Sequence, residues 1–466
     1  MLRNKSTRRH LVHVCCMFAV FIIFEISAGG IRISEAHFER DTVDPIKEYG
    51  LFWAFILYAF RFLSFLPLPL CIFHAFGLIR YNVFPEKSQI RGSPLLSPFL
   101  SIRVVTRGDY PDLVRHNVQR NMTTCLDLGM DKFIIEVITD KPLNLPKNGR
   151  IREIIVPTTY RTKSGSLYKS RALQYALEDE VNILNDDDWI VHLDEETILT
   201  ESSVRGILNF LFESKHSIGQ GLITYANEEV INWVTTLADS FRVGADLGLL
   251  RFCLKKFNKA LFLFKGSFVV CQAGVERRVT FDNGIEGSIA EDTYFAMKAM
   301  AKGYSFDWID GEMWEKSPFS FWDFLQQRKR WIQGIFLVVH DKKLPKRARA
   351  CLALALYSWL TLPLSTSNVY LSALYPIPVG QTFDFLVCFV GAINLYLYFI
   401  GAVKSFSVTR LGYFKFFCCV IGALCTIPFV VVIENIAVIW GLFGDKKKFY
   451  IVNKSLQPIQ QATDVV

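Results

Sequence analysis

Apolar residues cluster towards the two ends of this 466-residue chain, and the middle alternates. Residues 11–31 are apolar apart from Glu25 and the pair Gly29-Gly30, and residues 51–79 form a longer run carrying Arg61, Pro67, Pro69 and His74. Three more apolar runs follow at 351–374, 385–403 and 416–443, the last interrupted by Pro428 and Glu434. Each is long enough, at about twenty residues or more, to cross a bilayer as a helix. Between them, short β-rich runs at 99–105, 133–138, 151–156 and 189–193 end on polar residues. Helix-period stretches begin at Asp112, at 170–184 and at 293–302. Strands alternating with helices predict a mostly parallel sheet with crossover helices. Ligands of such sheets lie beyond the carboxyl ends of the strands, where Asp109, Asp140 and Asp194 fall. The expected organisation is an anchor with two transmembrane spans (1–80), an α/β domain (81–345), a C-terminal transmembrane region (346–445) and a polar tail (446–466).

Composition agrees with this division. Hydrophobic residues make up 51% of the chain, too many for an ordinary soluble enzyme. The basic start and the sequence Ser27-Ala28-Gly29 permit a cleaved signal peptide, but the later spans favour an anchor. Arg3, Lys5, Arg8 and Arg9 precede the first span, and Lys342, Lys343, Lys346, Arg347 and Arg349 precede the third. The positive-inside rule then places the middle domain in the cytosol, as part of a multi-pass protein. Lys404, Arg410, Lys415 and Lys446-Lys447-Lys448 are all cytosolic only if 416–443 folds back as a re-entrant hairpin. The net charge of +8 is accounted for by topology, with no nucleic-acid partner. Eleven cysteines, mostly in the apolar runs, have no Cys-x-x-Cys spacing and read as packing residues.

Three polar constellations carry the candidate chemistry. Asp194-Glu195-Glu196 closes the strand 189–193, and Asp194 with Glu196 offers an oxygen-only site for Mg²⁺ or Mn²⁺. A solvated acidic turn is the plain alternative, and that is the reading of Asp186-Asp187-Asp188 on the entry side of the strand. Glu291-Asp292 opens the stretch 293–302. There a carboxylate is either a helix cap or, with Asp292 the stronger candidate, the base that deprotonates an attacking hydroxyl. Gln327, Arg330 and Trp331 share one helix face, where Arg330 suits a diphosphate, Gln327 adds a hydrogen bond and Trp331 floors a sugar. Alternatively Trp322, Phe324 and Trp331 line a headgroup region, with Arg328, Lys329 and Arg330 towards lipid phosphate. Lys163 and Lys169 either contact donor phosphates or are solvated.

These residues together resemble a family-2 glycosyltransferase with a GT-A fold, over roughly residues 99–331. The resemblance implies that Asp109 and Asp140 contact the nucleotide and that Asp194-Glu195-Glu196 stands where the family has Asp-x-Asp. It also implies that Asp292 in Ala290-Glu291-Asp292 is the base, with Glu291 on the acceptor side. Gln327-x-x-Arg330-Trp331 matches the family motif in full. A closer resemblance, to Egghead-type β-1,4-mannosyltransferases, rests on the two-span entry and on Tyr160-Arg161-Thr162-Lys163-Ser164-Gly165-Ser166. It rests also on His192-Leu193-Asp194-Glu195-Glu196-Thr197 and on Trp314-Glu315-Lys316-Ser317-Pro318-Phe319. It implies inverting transfer of mannose from GDP-mannose to glucosylceramide in an ER or Golgi membrane, with a nucleotide-sugar donor, a glycolipid acceptor and the bilayer as partners.

Rival readings are a processive polysaccharide synthase, another lipid glycosyltransferase using a UDP-sugar, and a non-catalytic scaffold or transporter in which Arg61 is a path charge. Asn121-Met122-Thr123 is a formal glycosylation sequon inside the domain expected to be cytosolic, so a glycan there would reverse the orientation.

Overall fold

The computed structural model describes residues 4–33, 42–146, 148–213, 215–446 and 450. Three helices come first, α1 (Lys5–Ser27), α2 (Pro45–Leu63) and α3 (Leu68–Arg80). The α/β region opens with β1 (Leu100–Thr106), α4 (Pro111–Asp127), β2 (Phe133–Thr139), β3 (Ile151–Ile155), α5 (Tyr168–Tyr175) and β4 (Trp189–Asp194). It continues through α6 (Glu201–Glu213), β5 (Ile218–Thr224), α7 (Trp233–Ala238), α8 (Ser240–Ala245), a π-helical turn (Asp246–Leu250) and α9 (Arg251–Phe257). Then come β6 (Val269–Gln272), α10 (Ala273–Val279), α11 (Glu291–Ala301), β7 (Phe306–Trp314) and α12 (Phe321–His340). Five helices close the chain: α13 (Lys346–Leu360), α14 (Leu362–Leu374), α15 (Gln381–Ser405), α16 (Val408–Cys425) and α17 (Ile427–Phe443).

The seven strands form one sheet in the order β3-β2-β1-β4-β6-β5-β7. β3, β2, β1 and β4 run parallel, as the alternation predicts, and all four expected strands lie within a residue or so of their predicted bounds. β6 is antiparallel to both β4 and β5, so the sheet is mixed, a feature that periodicity alone does not reveal. The helix expected over 170–184 is shorter and ends at Tyr175. Leu177 and Glu178 donate instead to carbonyls three residues back, and the Glu178 carboxylate accepts the Tyr160 hydroxyl at 2.5 Å, which ties the chain to the preceding loop.

A row of buried charges crosses the parallel half. Register places Glu136, Arg103 and His192 side by side on β2, β1 and β4. Arg103, fully buried, donates to Glu136 at 2.9 Å and to Glu276 of α10 at 2.7 Å, while Glu276 also holds His192 at 2.5 Å. Arg152 of β3 reaches the other Glu136 oxygen at 2.9 Å. The row lies two residues short of Asp194 along β4, so it fixes the strand ends on which the site is built.

Among the described residues, four helices are long and apolar enough to cross a membrane, or five if the pair α13–α14, bent by 45°, counts as one. Residues 416–443 divide at Thr426 into α16 and α17, beside Pro428. The N-terminal helices are clasped by the C-terminal ones: α1 and α3 pack on α15, and α2 packs on α14. The Tyr396 hydroxyl of α15 donates to the His13 carbonyl of α1 at 2.8 Å, so α1 is an integral part of the bundle. The α/β region is attached to this bundle where α8 crosses α15. A Cβ on Gly401 would stand 1.8 Å from the Ser240 carbonyl oxygen, and one on Gly244 would stand 2.2 Å from that of Leu397. Only glycine permits so close a crossing. Arg61 is buried in the bundle. All eleven cysteines are free thiols, as expected of packing residues. Of the expected polar tail, only Lys446 and Tyr450 fall among the described residues.

Removing one member of a buried ion network strands its partners, at a cost of about 3–5 kcal/mol. Arg103→Leu is therefore expected to lower the apparent melting temperature of the detergent-solubilised chain by several degrees. Unchanged melting would mean that the charge row does not hold the parallel strands.

Candidate active site

Asp194 is the last residue of β4 and leads into a tight turn in which Thr197 N donates to the Asp194 carbonyl at 3.0 Å. Side chains from four directions hold this turn. Asn117 and Asn121, one helical turn apart on α4, donate to the Glu195 and Thr197 carbonyls at 2.8 and 3.1 Å. Thr106, at the end of β1, bonds the Glu195 carboxylate. Ser267 accepts the Asp194 amide at 3.3 Å and meets the Thr197 hydroxyl at 2.7 Å, and that hydroxyl also reaches Glu315 at 2.6 Å. Glu195 thus serves the turn, and Asp194, Glu195 and Glu196 all line the cavity beside it. Asn121 is 1% exposed and its amide is engaged at both ends, because its Oδ1 also accepts Leu199 N at 2.8 Å. A glycan on Asn121 would therefore be incompatible with the folded domain.

Lys169, in the first turn of α5, bonds Asp194 and stands 3.6 Å from Glu291. Gly266 leaves room for this meeting. A Cβ there would be 3.2 Å from Lys169 Nζ, 3.4 Å from Asp292 Oδ2 and 3.5 Å from Glu291 Oε1. Burial alone would lower the Lys169 pKa, but Asp194, Glu291 and Asp292 outweigh it and hold the ammonium protonated well above its ordinary range. Asp292 accepts Thr293 N at 2.6 Å in the first turn of α11, but the N-cap position is Ala290 and no side chain caps this helix. Burial first, then the neighbouring Glu291, raises its carboxyl to about 7.

These groups line a cavity of about 1270 Å³, larger than the ~300–1,000 Å³ of an ordinary ligand pocket. Asp109, Asp140, Lys169, Asp194, Glu196, Glu291, Asp292, Gln327, Arg330 and Trp331 all lie on its wall. Asp109 is paired with Lys141 and Asp140 with Arg171, the hydrogen bond from Lys141 chiefly holding Asp109 below the usual carboxylate range. Lys163 is the exception. It sits on an exposed turn outside the wall, and of the two basic-loop candidates only Lys169 reaches the site. Further along, the wall is apolar, formed by Leu70 of α3, Leu352 and Leu356 of α13, Leu395 of α15 and Val430 of α17.

Of the three aromatic residues in the headgroup alternative for 322–331, only Trp322 is exposed. Phe324 is buried, and Arg328 points inward to Asp239 at 2.7 Å and to Glu434 of α17 at 3.1 Å. The apolar setting makes that ion pair preferable to lipid phosphate. Arg328 also lies over the Trp331 ring, 4.4 Å from its centroid. The sequence reading missed Glu315 as a site residue, although the block Trp314–Phe319 was noted for its likeness. Burial, then Asp194 and Glu196, raises the Glu315 carboxyl to about 7. The available signal was its place in the resemblance block Trp314–Phe319, since β7, the strand it directly follows, is not among the expected strands.

Comparison with known proteins gives the family. The family model "Glycosyl transferase family group 2" matches residues 189–402. The β-1,4-mannosyltransferase egh of Drosophila melanogaster is 59% identical over 455 residues, 98% of this chain and 99% of that protein. The chain belongs to the Egghead type of family-2 glycosyltransferases. The β-1,4-mannosyltransferase bre-3 of Caenorhabditis elegans is 53% identical over 452 residues, 97% of this chain and 99% of its own length. Among solved structures, S. aureus TarS 1–349 is 11% identical and covers 72% of this chain and 90% of that one, with a TM-score of 0.34. The mixed, mostly parallel sheet is the GT-A-like fold of this family, and the chain is accordingly an enzyme, a glycosyltransferase.

Family members of this fold commonly use a divalent ion, and the donor chemistry here fits one. No three His, Cys, Asp or Glu side chains converge as a ready-made cage among the described residues. Asp194 and Glu196, with Glu315 in electrostatic reach of both, fit an ion such as Mg²⁺ that takes one or two carboxylates and completes its shell from phosphate and water.

The raised Asp292 pKa has a consequence for stability. In the folded chain Asp292 keeps a proton that the unfolded chain loses above about pH 4, so its contribution is present in acid and lost as pH rises through about 7. Asp292→Asn is expected to raise the apparent melting temperature more at pH 8 than at pH 5. An equal shift at both pH values would show that Asp292 ionises normally.

Proposed function

We propose that this glycosyltransferase transfers mannose from GDP-mannose, with inversion, to the 4-hydroxyl of the glucose of glucosylceramide. The observation that carries this reading is the single cavity that joins the carboxylate cluster to apolar walls of α3, α13, α15 and α17. A sugar-phosphate site continuous with a greasy cleft between membrane-type helices suits an acceptor with a polar head and an acyl tail. The β-1,4-mannosyltransferase names of the relatives support the sugar and the linkage.

In this reading the nucleotide lies over the ends of β1 and β2, against Asp109 and Asp140. A Mg²⁺ or Mn²⁺ ion held by Asp194 and Glu196 would neutralise charge that builds on the diphosphate as the glycosidic bond breaks. Lys169, Gln327 and Arg330 hold the same leaving group, Gln327 by donating from its amide nitrogen. The acceptor oxygen attacks the anomeric carbon from the face opposite the diphosphate, its proton passes to Asp292, and GDP leaves with the bonding pair. Glu291 orients the acceptor, and Trp331 supports the acceptor side of the site. A base of pKa near 7 is matched to this task at neutral pH. The domain spanning 81–345 faces the cytosol, between an anchor at 1–80 and a membrane region at 346–445, in the ER or Golgi. Basic flanks on both sides of that domain support this orientation, and it gives the site access to cytosolic nucleotide sugar.

The full-length protein in lipid should be incubated with radiolabelled GDP-mannose or UDP-glucose, glucosylceramide and Mn²⁺ or Mg²⁺. One mannose per lipid, lost with chelator, is the expected product. Long chains would establish a processive synthase, and turnover of UDP-glucose alone would discard the mannose assignment. Asp292→Asn is expected to abolish transfer, by about 10²–10⁴-fold, with GDP-mannose binding retained. In the unaltered enzyme kcat/KM should rise with pH through an ascending limb near 7, and a flat profile from pH 5 to 9 counts against Asp292 as the base.

A further inference from the structure

Arg242 belongs to none of the sequence motifs, yet it lines the cavity from α8. Its guanidinium carbon lies over the rings of both Tyr225 and Trp331, 4.4 and 4.7 Å from their centroids. Stacking occupies the flat faces of a guanidinium and leaves its N–H edge free to donate. That edge is scarcely used. The ion pair with Asp239 is long, 3.5 Å, and the same Asp239 oxygen already accepts Arg328 at 2.7 Å. Among the described residues the Arg242 side chain makes no hydrogen bond, although only 18% of it is exposed. Burial opposes its charge, but Tyr225, Asp239, Glu315 and Asp246 keep it protonated. A mostly buried guanidinium, aligned by two rings and lacking hydrogen-bond partners, is a group arranged to be completed by a ligand.

Position decides which ligand. Tyr225 follows β5, and β5 and β7 form the edge of the sheet opposite β2 and β3. The nucleotide-side carboxylates Asp109 and Asp140 belong to the other half, and Lys169 already stands at Asp194 in the middle. Phe241 and Ala245, on the same helix as Arg242, contribute to the apolar wall. Arg242 therefore stands between the reacting carboxylates and the greasy cleft. Two neighbouring hydroxyls of a pyranose offer acceptor oxygens at the spacing of a guanidinium fork.

We infer that Arg242, aligned by Tyr225 and Trp331, binds ring hydroxyls of the acceptor's sugar, and that Trp331 acts on the acceptor through Arg242 instead of stacking on the sugar itself. The assignment rests on the glycolipid-acceptor reading above.

The test uses the full-length enzyme in lipid nanodiscs, with KM measured for glucosylceramide and for GDP-mannose and with GDP affinity measured by calorimetry. Arg242→Lys keeps the charge and loses the fork. It is expected to raise the glucosylceramide KM by about tenfold or more, with GDP-mannose KM and GDP affinity within about twofold of the unaltered enzyme. Tyr225→Leu removes one aligning ring and should move the same parameter in the same direction by about threefold, which carries the test if Arg242→Lys does not fold. A weakened GDP affinity with an unchanged acceptor KM would place Arg242 on the diphosphate and overturn the inference. A fall in kcat with both KM values unchanged would also overturn it. If the unaltered enzyme transfers no mannose to glucosylceramide, the acceptor reading itself falls, a result seen without any variant.

Discussion

Arg103 is the interaction on which the catalytic half of the molecule depends. A guanidinium with no access to solvent is tolerable only between carboxylates, and here Glu136 and Glu276 flank it while His192 closes the row. Because the three strand residues are register partners, sliding any one strand by a single residue would separate charges inside the core. The carboxyl ends of the strands are thereby aligned, and Thr106, Thr139 and Asp194 emerge at one edge of the sheet. Site geometry follows from a charge arrangement that itself contacts no part of the cavity.

The site then carries the opposite kind of arrangement, an excess of negative charge. Asp194, Glu196, Glu291, Asp292 and Glu315 face one cavity in which Lys169 bonds Asp194 and stands beside Glu291. Burial first, and then the neighbouring like charges, raise the Asp292 and Glu315 carboxyls towards neutrality, and the cluster draws in cations. Such a cluster is costly to fold, and the scaffold tolerates it because the turn bearing Asp194 is held by Asn117, Asn121, Thr106 and Ser267. Contact with the membrane-type helices is equally rigid. The glycine crossing of α8 and α15 brings the aromatic and basic wall of the site against the bundle, so that one cavity is lined by both the α/β region and the apolar helices.

Much of this was legible in the residues. The strands β1 to β4 and the apolar runs show in periodicity and length, and Asp109, Asp140 and Asp194 were placed at strand ends because parallel sheets put ligands there. Gln327, Arg330 and Trp331 were placed on one helix face by their i, i+3, i+4 spacing, and all three line the cavity. Lys163 and Lys169 looked alike in the sequence, as two basic residues of one loop, and only folding separated them. Arg328 sits within the same helical motif as Arg330, but its partners Asp239 and Glu434 are 89 and 106 positions away, a pairing that no local pattern announces.

The sequence by itself determined which segments are apolar enough to leave water, where the parallel strands begin and end, and which short motifs carry carboxylates, because those properties depend on neighbours a few residues apart. Tertiary structure alone decided that β6 enters the sheet antiparallel, that Glu315 joins Asp194 and Glu196, and that Arg242 lies over Tyr225 and Trp331. Each of these depends on segments far apart in the chain being brought within a few ångströms, and the burial that shifts their charges and orients their donors exists only once the chain has packed.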